Sequence, residues 1–206
     1  MRKSTHFTDE GVRVRYFTHA CVLLATAKVT ILVDPLFAEE RDDALATLTF
    51  HDLPDHIDFV VFSHAHMDHF CAEVIVQRRE RVGCFIVPQN NQGEVCDPSM
   101  KLMLKALGCH SFRALDPFEC INTADGQIVS LPFPGEHCGL AIYSKHSVRI
   151  DLLGRRFLFL VDSDAVDPAL YARMRTRIGH IHAAFVGMEC DGAPLAGSTG
   201  RCWPAI

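Results

Sequence analysis

The chain has 206 residues, of which 49% are hydrophobic and 22% are charged. This composition is typical of one folded domain and excludes a disordered chain. The formal net charge is −5, which argues against nucleic acid or an anionic membrane as a partner. No apolar run approaches the ~20 residues of a membrane span, and no apolar stretch follows the basic start, so we expect neither a transmembrane helix nor a signal peptide.

Cysteine and histidine are both frequent in this chain. The nine cysteines have irregular spacing and form no C-x-x-C pair. Reduced thiols are therefore expected rather than a disulfide framework, which indicates a cytoplasmic protein. Of the 12 histidines, three fall within six residues, and this cluster dominates the functional interpretation below.

The predicted elements alternate between strands and helices along one domain, residues 1–206. Short apolar or alternating runs in the first third predict strands over 12–17, 21–26, 28–34 and 58–63. The middle of the chain predicts a helix over 70–79, a strand over 84–87 and a helix over 98–107 that Gly108 ends. The last part predicts strands over 127–132, 140–144, 148–153 and 156–161, a helix over 168–177 and a strand over 182–187. This order predicts an α/β layered sandwich.

Four potential metal ligands lie directly after the predicted strand 58–63: His64, His66, Asp68 and His69. His64 and His66 are two residues apart, so in extended backbone their side chains point the same way. Asp68 and His69 begin a turn into the next helix and can face a second point nearby. Imidazole and carboxylate together are the ligand set of Zn, Fe or Mn.

This segment resembles the H-x-H-x-D-H signature of the metallo-β-lactamase superfamily. The buried strand before it and the segment 31–35, Ile-Leu-Val-Asp-Pro, fit the same context, and the resemblance covers residues 12–195. It implies an αββα sandwich with two metal ions at one edge. His64, His66 and a third residue would hold the first ion, and Asp68, His69 and a late histidine would hold the second. An aspartate from a later strand would bridge both.

The resemblance also implies where the remaining ligands lie. Asp162 directly ends the predicted strand 156–161 and is preferred as the bridging residue, with Asp164 as the alternative or as a helix cap. The third ligand of the first ion is expected to be Glu136 or His137. The family usually has histidine here, but the spacing around Glu136 resembles that of a diiron β-hydroxylase in this superfamily. On this spacing we prefer Glu136, whose carboxylate would suit iron better than zinc, and we expect the other residue to orient a ligand.

Other candidate residues receive structural interpretations. His19 resembles part of a Gly-His-Ala segment in one branch of the family and is interpreted as structural. Asp34 is expected to bond the imidazole of a ligand. Cys138, beside the predicted site, is interpreted as an inert thiol. The remaining histidines are predicted to lie on the surface or in a hydrogen-bonded core; they are His51, His56, His110, His146, His180 and His182.

The end of the chain departs from the family pattern. A late histidine should follow a further helix and strand, and His180 and His182 come too early for it. Residues 196–206 differ in character from the preceding sequence, and a shifted reading frame over 197–204 can encode Trp-Leu-Tyr-Gly-Pro-Leu-Leu-Ala. We therefore expect a truncated or frameshifted C terminus that lacks the last helix and strand of the sandwich.

The predicted function is that of a dinuclear metal enzyme acting on a small molecule. The resemblance implies two divalent ions, Zn or Fe with Mn as a further possibility. Hydrolysis of an ester, lactone, amide or phosphodiester by a metal-activated water is the first hypothesis, with Asp68 also accepting a proton. A diiron oxygenase, favoured by Glu136, and a catalytically inactive truncated member of the family are the alternatives.

Overall fold

The computed structural model describes residues 11–17, 19–36, 53–90, 97–133, 143–162 and 168–187, with residues 168 and 170 described by their backbone alone. The predicted tail 196–206 therefore lies outside the described residues. Within them, no helix is long and apolar enough to cross a membrane.

The first half of the chain forms a six-stranded sheet in the order β1-β2-β3-β4-β5-β6. β1, β2 and β3 pair antiparallel, and β3 to β6 pair parallel. Parallel strands end at the same edge of a sheet, so the residues that follow β3 and β4 lie side by side. The strands are Arg13–Tyr16, Val22–Ala25, Thr30–Val33, Ile57–Val61, Val82–Pro88 and Phe112–Leu115.

The second half forms a five-stranded sheet in the order β11-β10-β9-β8-β7. β7 to β10 pair antiparallel, and β11 pairs parallel with β10. The strands are Cys120–Thr123, Gly126–Leu131, Ser147–Leu152, Arg155–Leu160 and Ala183–Val186. The helices are α1 (Ala72–Arg78), α2 (Met100–Ala106) and α3 (Pro168–Ile178), and a short 3₁₀ helix, Arg79–Arg81, follows α1.

Three apolar clusters arrange these elements in four layers. Val61 and Ile86 of the first sheet pack against Ile150 and Phe159 of the second, which buries the faces between the sheets. The outer face of the first sheet packs against α1 and α2 through a cluster that includes Ile75, Leu104 and Phe62. The outer face of the second sheet packs against Met174 and Ile178 of α3 through Val129, Leu131, Leu158 and Leu160. This α-β-β-α order confirms the predicted fold class.

The differences from the predicted elements lie mainly at the margins of the sheets. β6 and β7 were not predicted, because Cys120–Thr123 alternates between exposed and half-buried residues and has no strong apolar face. The predicted strand 140–144 is wrong at Tyr143 and Ser144, which are not part of a strand, and its first three residues lie outside the described ones. Ser144 instead forms backbone and side-chain hydrogen bonds with the loop before α2, through Asp97 and Pro98.

Candidate metal centre

β4 delivers the histidine-rich segment to the edge between the two sheets. Val60 and Phe62 belong to the cluster under the helices, whereas Val61 belongs to the cluster between the sheets. A strand buried on both faces needs a continuous apolar sequence, and this strand has one from Phe59 to Phe62. The polar residues begin where the pairing of the strand ends, with buried Ser63 and His64. The edge of the sheet therefore fixes where the first histidine lies.

The next residues form a tight turn that folds the segment back on itself. The backbone N–H groups of His69 and Phe70 both donate to the carbonyl of His66. The rings of His64 and His66 lie 4.8 Å apart, and those of His64 and His69 lie 4.1 Å apart. Thus three imidazoles gather at one point, and the predicted turn at Asp68 and His69 is confirmed.

Asp34 orients two of these histidines through hydrogen bonds, one directly and one through Ser63. It follows β3, the parallel neighbour of β4, and is fully buried. Its Oδ1 accepts the backbone N–H of Ser63 at 2.7 Å, and its Oδ2 accepts the Ser63 hydroxyl at 2.6 Å. Oδ2 also lies 2.9 Å from Nδ1 of His69. The predicted contact of Asp34 with an imidazole of the cluster is therefore present.

These bonds orient the histidine rings and fix their tautomers. Because the Ser63 hydroxyl gives its proton to Asp34, its oxygen accepts from Nδ1 of His64, 2.9 Å away. His69 likewise donates from Nδ1 to Asp34. In both rings Nε2 is left to face the cluster. A carboxylate or hydroxyl behind the imidazole is the usual support of a metal-binding histidine, so the arrangement fits a metal ion.

Asp162 enters the same point from the second sheet. It follows β10, which is also buried on both faces, and its Oδ2 lies 3.1 Å from Nε2 of His69 and 3.6 Å from Nε2 of His64. Gly187, at the end of β11, permits this position. A Cβ added there would lie 2.7 Å from the backbone nitrogen of Asp162, closer than side chains tolerate.

His19, which the sequence led us to interpret as structural, also lies in the cluster. It lies in the turn between β1 and β2, and its Nε2 is 3.0 Å from Nε2 of His69 and 3.2 Å from Oδ2 of Asp68. Nothing local in the sequence indicates this contact, because His19 and His69 are 50 positions apart. The contact with His69 depends on the path of the backbone through the β1–β2 turn.

The donor atoms form two overlapping groups. One contains His64, His66 and Asp162, and the other contains His19, His69 and Asp162; within each group the candidate ligand atoms lie within 4.8 Å of one another. Asp162 belongs to both. Nitrogen and carboxylate oxygen donors in this arrangement suit Zn, Fe or Mn. The described part of the chain thus offers two adjacent cation positions that share one carboxylate.

Backbone strain accompanies the site. His19, Asp34 and Asp162 have φ values of 51°, 40° and 52°, in the left-handed region that favours glycine. Among the described residues, the other non-glycine positions with positive φ are Phe118 and Leu153. Such conformations persist where the surrounding structure enforces them, and they concentrate at functional sites.

The charges of the cluster act on its titratable groups. Burial lowers the pKa of His69, but the hydrogen bonds to Asp162 and Asp34 outweigh burial and raise it to about 10. A hydrogen bond with His19 holds the pKa of Asp68 well below its usual range, against the opposing effect of burial. In the absence of a metal ion both ring nitrogens of His69 are therefore protonated at neutral pH, and a metal would have to displace the proton on Nε2.

Not every predicted site residue can be placed. Glu136, His137, Cys138 and Asp164 lie outside the described residues.

His180 and His182 are exposed, and Nδ1 of His182 accepts the backbone N–H of Arg156. Since Arg156 and Asp162 lie near opposite ends of β10, His182 is roughly 20 Å from the cluster. His56 and His110 are exposed and His146 is buried, as predicted; His51 lies outside the described residues.

Comparison with known proteins assigns the chain to a family. Residues 13–131, more than half of the chain, match the model of the beta-lactamase superfamily domain. The chain is 35% identical over 188 residues to 4-amino-L-phenylalanyl-[CmlP-peptidyl-carrier-protein] 3-hydroxylase of Streptomyces venezuelae, covering 90% of this chain and 35% of that protein. It is 22% identical over 189 residues to a UPF0173 metal-dependent hydrolase of Oenococcus oeni, covering 88% and 74% of the two proteins.

The solved structures give the same assignment. The crystal structure of CmlA, a diiron β-hydroxylase from Streptomyces venezuelae, superposes with a TM-score of 0.77 and 33% identity. The match covers 90% of this chain and 36% of that one, so the chain spans about a third of the length of the hydroxylase. The chain belongs to the beta-lactamase superfamily, and its fold is that of the metallo-β-lactamases.

Proposed function

We propose that the cluster is a dinuclear centre for divalent cations. The observation that supports this most directly is the convergence of two donor groups on a shared carboxylate, Asp162. His64 and His66 would hold the first cation, with Glu136 or His137 as the third ligand. Asp68 and His69 would hold the second, and Asp162 would contact both. The residues come from β4, the turn after it and β10, so both sheets would fix the distance between the cations.

The chain's own residues prepare this centre before a metal arrives. Asp34 and Ser63 point Nε2 of His64 and His69 at the cation positions and remove the need to reorganise the rings. His64 and His69 are almost completely buried, which keeps water from competing for their nitrogens. His66 and Asp68 are less buried, so the centre opens to solvent on their side. We propose that a small-molecule substrate approaches from there.

We propose oxidative hydroxylation as the reaction of this centre. The support is the 35% identity to a hydroxylase over 90% of the chain, which is well above the 22% identity to a metal-dependent hydrolase. A carboxylate ligand at Glu136 would favour iron in the first position. Iron bound here would supply the oxygen-activating chemistry, and the polypeptide would orient the ligands and admit substrate at the exposed side.

Hydrolysis is the second candidate, and Asp68 favours it. Its side chain is about half exposed, so its carboxylate lies at the open side of the centre, where a water molecule can reach it. An ionised carboxylate at the open side can accept a proton from a water molecule. The same donor set would then hold zinc, whose bound water is acidic enough to attack an ester or phosphodiester.

The two reactions can be separated with the purified chain. The protein is loaded without oxygen with two equivalents of Fe(II) or Zn(II), and excess metal is removed. We expect the iron-loaded protein to consume oxygen in the presence of a reductant faster than free Fe(II), and the zinc-loaded protein to leave p-nitrophenyl acetate and bis(p-nitrophenyl) phosphate intact. Hydrolysis by the zinc form without oxygen uptake by the iron form would favour the second candidate.

Matched variants connect either activity to the cluster. His64→Ala removes a nitrogen donor of the first position, whereas His182→Ala removes an exposed histidine at the far end of β10. Activity should be lost in the first variant and kept in the second. Equal activity in both would contradict the assignment of the site.

A further inference from the structure

We propose that His19 is a metal-binding residue, the fourth protein donor of the second cation position beside Asp68, His69 and Asp162. The inference rests on the dinuclear centre proposed above and extends it to a residue outside the H-x-H-x-D-H segment. It gives the turn between β1 and β2 a direct part in holding the cation.

The distances are those of ligands that share one ion. Nε2 of His19 lies 3.0 Å from Nε2 of His69, and the oxygen of Asp162 falls within the same 4.8 Å group. Metal–nitrogen bonds are about 2.0–2.1 Å long, so two nitrogens on one ion lie roughly 3 Å apart at the usual angles between ligands. Asp68 adds an oxygen 3.2 Å from the same nitrogen of His19.

The backbone at His19 is held in a strained conformation that brings the ring to this point. Its φ of 51° is a conformation that L residues other than glycine, asparagine and aspartate seldom adopt. The turn is closed by the backbone N–H of Phe17 donating to the carbonyl of Cys21, and both of these residues are buried. The side chain of His19 remains partly exposed and contributes little to the core. Its contacts are instead with the polar atoms of His69 and Asp68, at the second cation position.

Within the described residues, the other histidines do not supply this ligand. His146 is committed to Ser130 and to the carbonyl of Phe62 inside the fold. His180 and His182 lie near the start of β11, at the end of the second sheet away from Asp162. His56 and His110 precede the parallel strands β4 and β6, at the edge of the first sheet opposite the site. His19 is therefore the described histidine outside the motif whose nitrogen faces the second position.

The test removes the ligand and keeps the turn. His19→Asn is the principal variant, because asparagine tolerates positive φ but its side chain is too short to reach the cation. His19→Gly is a second variant with no side chain at all, and His182→Ala is the control. Each protein is titrated with Co(II) in competition with a chromophoric chelator, and circular dichroism verifies that the variants are folded.

We expect the wild type and His182→Ala to bind two equivalents of Co(II). Both His19 variants should keep the first equivalent and bind the second at least ~10-fold more weakly. A proton NMR spectrum of the cobalt-loaded protein adds a readout that a merely structural role would not change. The spectrum of His19→Asn should lack one of the strongly shifted, exchangeable imidazole N–H signals of the wild type.

The outcomes separate this inference from the function on which it depends. Two equivalents of unchanged affinity and a full set of shifted signals in His19→Asn would overturn the role of His19 and leave the dinuclear centre intact. If the wild type itself binds no Co(II), the proposed centre is wrong, and the role of His19 is wrong with it.

Discussion

Two buried histidines, His69 and His146, occupy different polar environments in this fold. Both are almost inaccessible to solvent. His69 lies between two carboxylates, Asp34 at 2.9 Å and Asp162 at 3.1 Å. His146 contacts the hydroxyl of Ser130 at 2.9 Å and the carbonyl of Phe62 at 3.0 Å. The residue type and the burial are the same, and only the partners differ.

The partners decide what each ring can do. Burial lowers the pKa of His146 to about 4, because the hydrogen bond to the Phe62 carbonyl and the charge of Asp34 only partly oppose that effect. At His69 the two carboxylates reverse the effect of burial and raise the pKa to about 10. A site that stabilises a positive charge on an imidazole also suits a metal cation, so the carboxylates distinguish a metal-binding histidine from a structural one.

The largest expected effect comes from removing the carboxylate behind His69. Asp34→Ala leaves the amide and hydroxyl of Ser63 and Nδ1 of His69 without their buried acceptor. We expect the free energy of unfolding to fall by about 3–5 kcal/mol, because breaking a buried charged pair strands its partners. Urea unfolding of the metal-free protein measures this. A loss below ~1 kcal/mol would show that Asp34 does not organise the cluster.

Metal removal should have the next largest effect. A cation present at 100 times its dissociation constant stabilises the folded state by about 2.7 kcal/mol, so chelation should lower the melting temperature by several degrees. The shift should be much reduced in His69→Ala and unchanged in His146→Asn. Differential scanning calorimetry with and without a chelator provides the comparison. An equal shift in both variants would contradict the distinction between the two histidines.

The two histidines should affect stability at different pH. Because the pKa of His146 is about 4 in the folded chain and about 6.5 in an unfolded one, its contribution is lost as the pH falls from 6.5 towards 4. Between pH 7 and pH 5 the loss is about 2 kcal/mol. The raised pKa of His69 acts in the opposite sense, and its contribution is lost as the pH rises from 6.5 towards 10.

This pH dependence can be isolated by subtraction. Urea unfolding of metal-free wild type and His146→Asn is measured at pH 7 and pH 5. The wild type should lose about 2 kcal/mol more than the variant over this interval, since the contribution of His69 is common to both. Parallel losses in the two proteins would mean that His146 is not held neutral by its surroundings.

A smaller effect is expected from the glycine that lets Asp162 reach His69. In Gly187→Ala the new methyl group would displace the backbone of Asp162 by a few tenths of an ångström. We expect roughly tenfold weaker metal binding, about 1.4 kcal/mol, with little change in the overall fold. Gly11→Ala is the control, since a Cβ there meets nothing within 4 Å. Isothermal titration with Zn(II) should show weaker binding in the first variant only.

The sequence predicted the parts of this arrangement that are local along the chain. The apolar run of β4 is followed directly by His64, His66, Asp68 and His69, so one stretch of sequence predicts both an element and the candidate ligands at its end. The contact of Asp34 with an imidazole could be predicted for the same reason, because Asp34 directly follows β3. The apolar patterns of most strands and helices predicted an α/β layered sandwich, and the resemblance to the metallo-β-lactamase superfamily implied its αββα order.

The missed features depend on contacts between distant residues. His19 reaches His69 across 50 positions through a turn with an unusual backbone conformation, and no periodicity indicates this. The hydrogen-bond partners of His146 come from β8 and from the end of β4, so the sequence could not show that these partners are a hydroxyl and a carbonyl, both neutral. The edge strands β6 and β7 lack the apolar face on which strand prediction depends.

The metal content of three proteins, measured side by side, tests whether His69 holds a metal ion and His146 does not. Wild type, His69→Ala and His146→Asn are loaded with excess Fe(II) or Zn(II), desalted and analysed by inductively coupled plasma mass spectrometry. We expect two equivalents of metal in the wild type and in His146→Asn, and at most one in His69→Ala. A wild type without stoichiometric metal, or equal metal content in the two variants, would contradict this assignment.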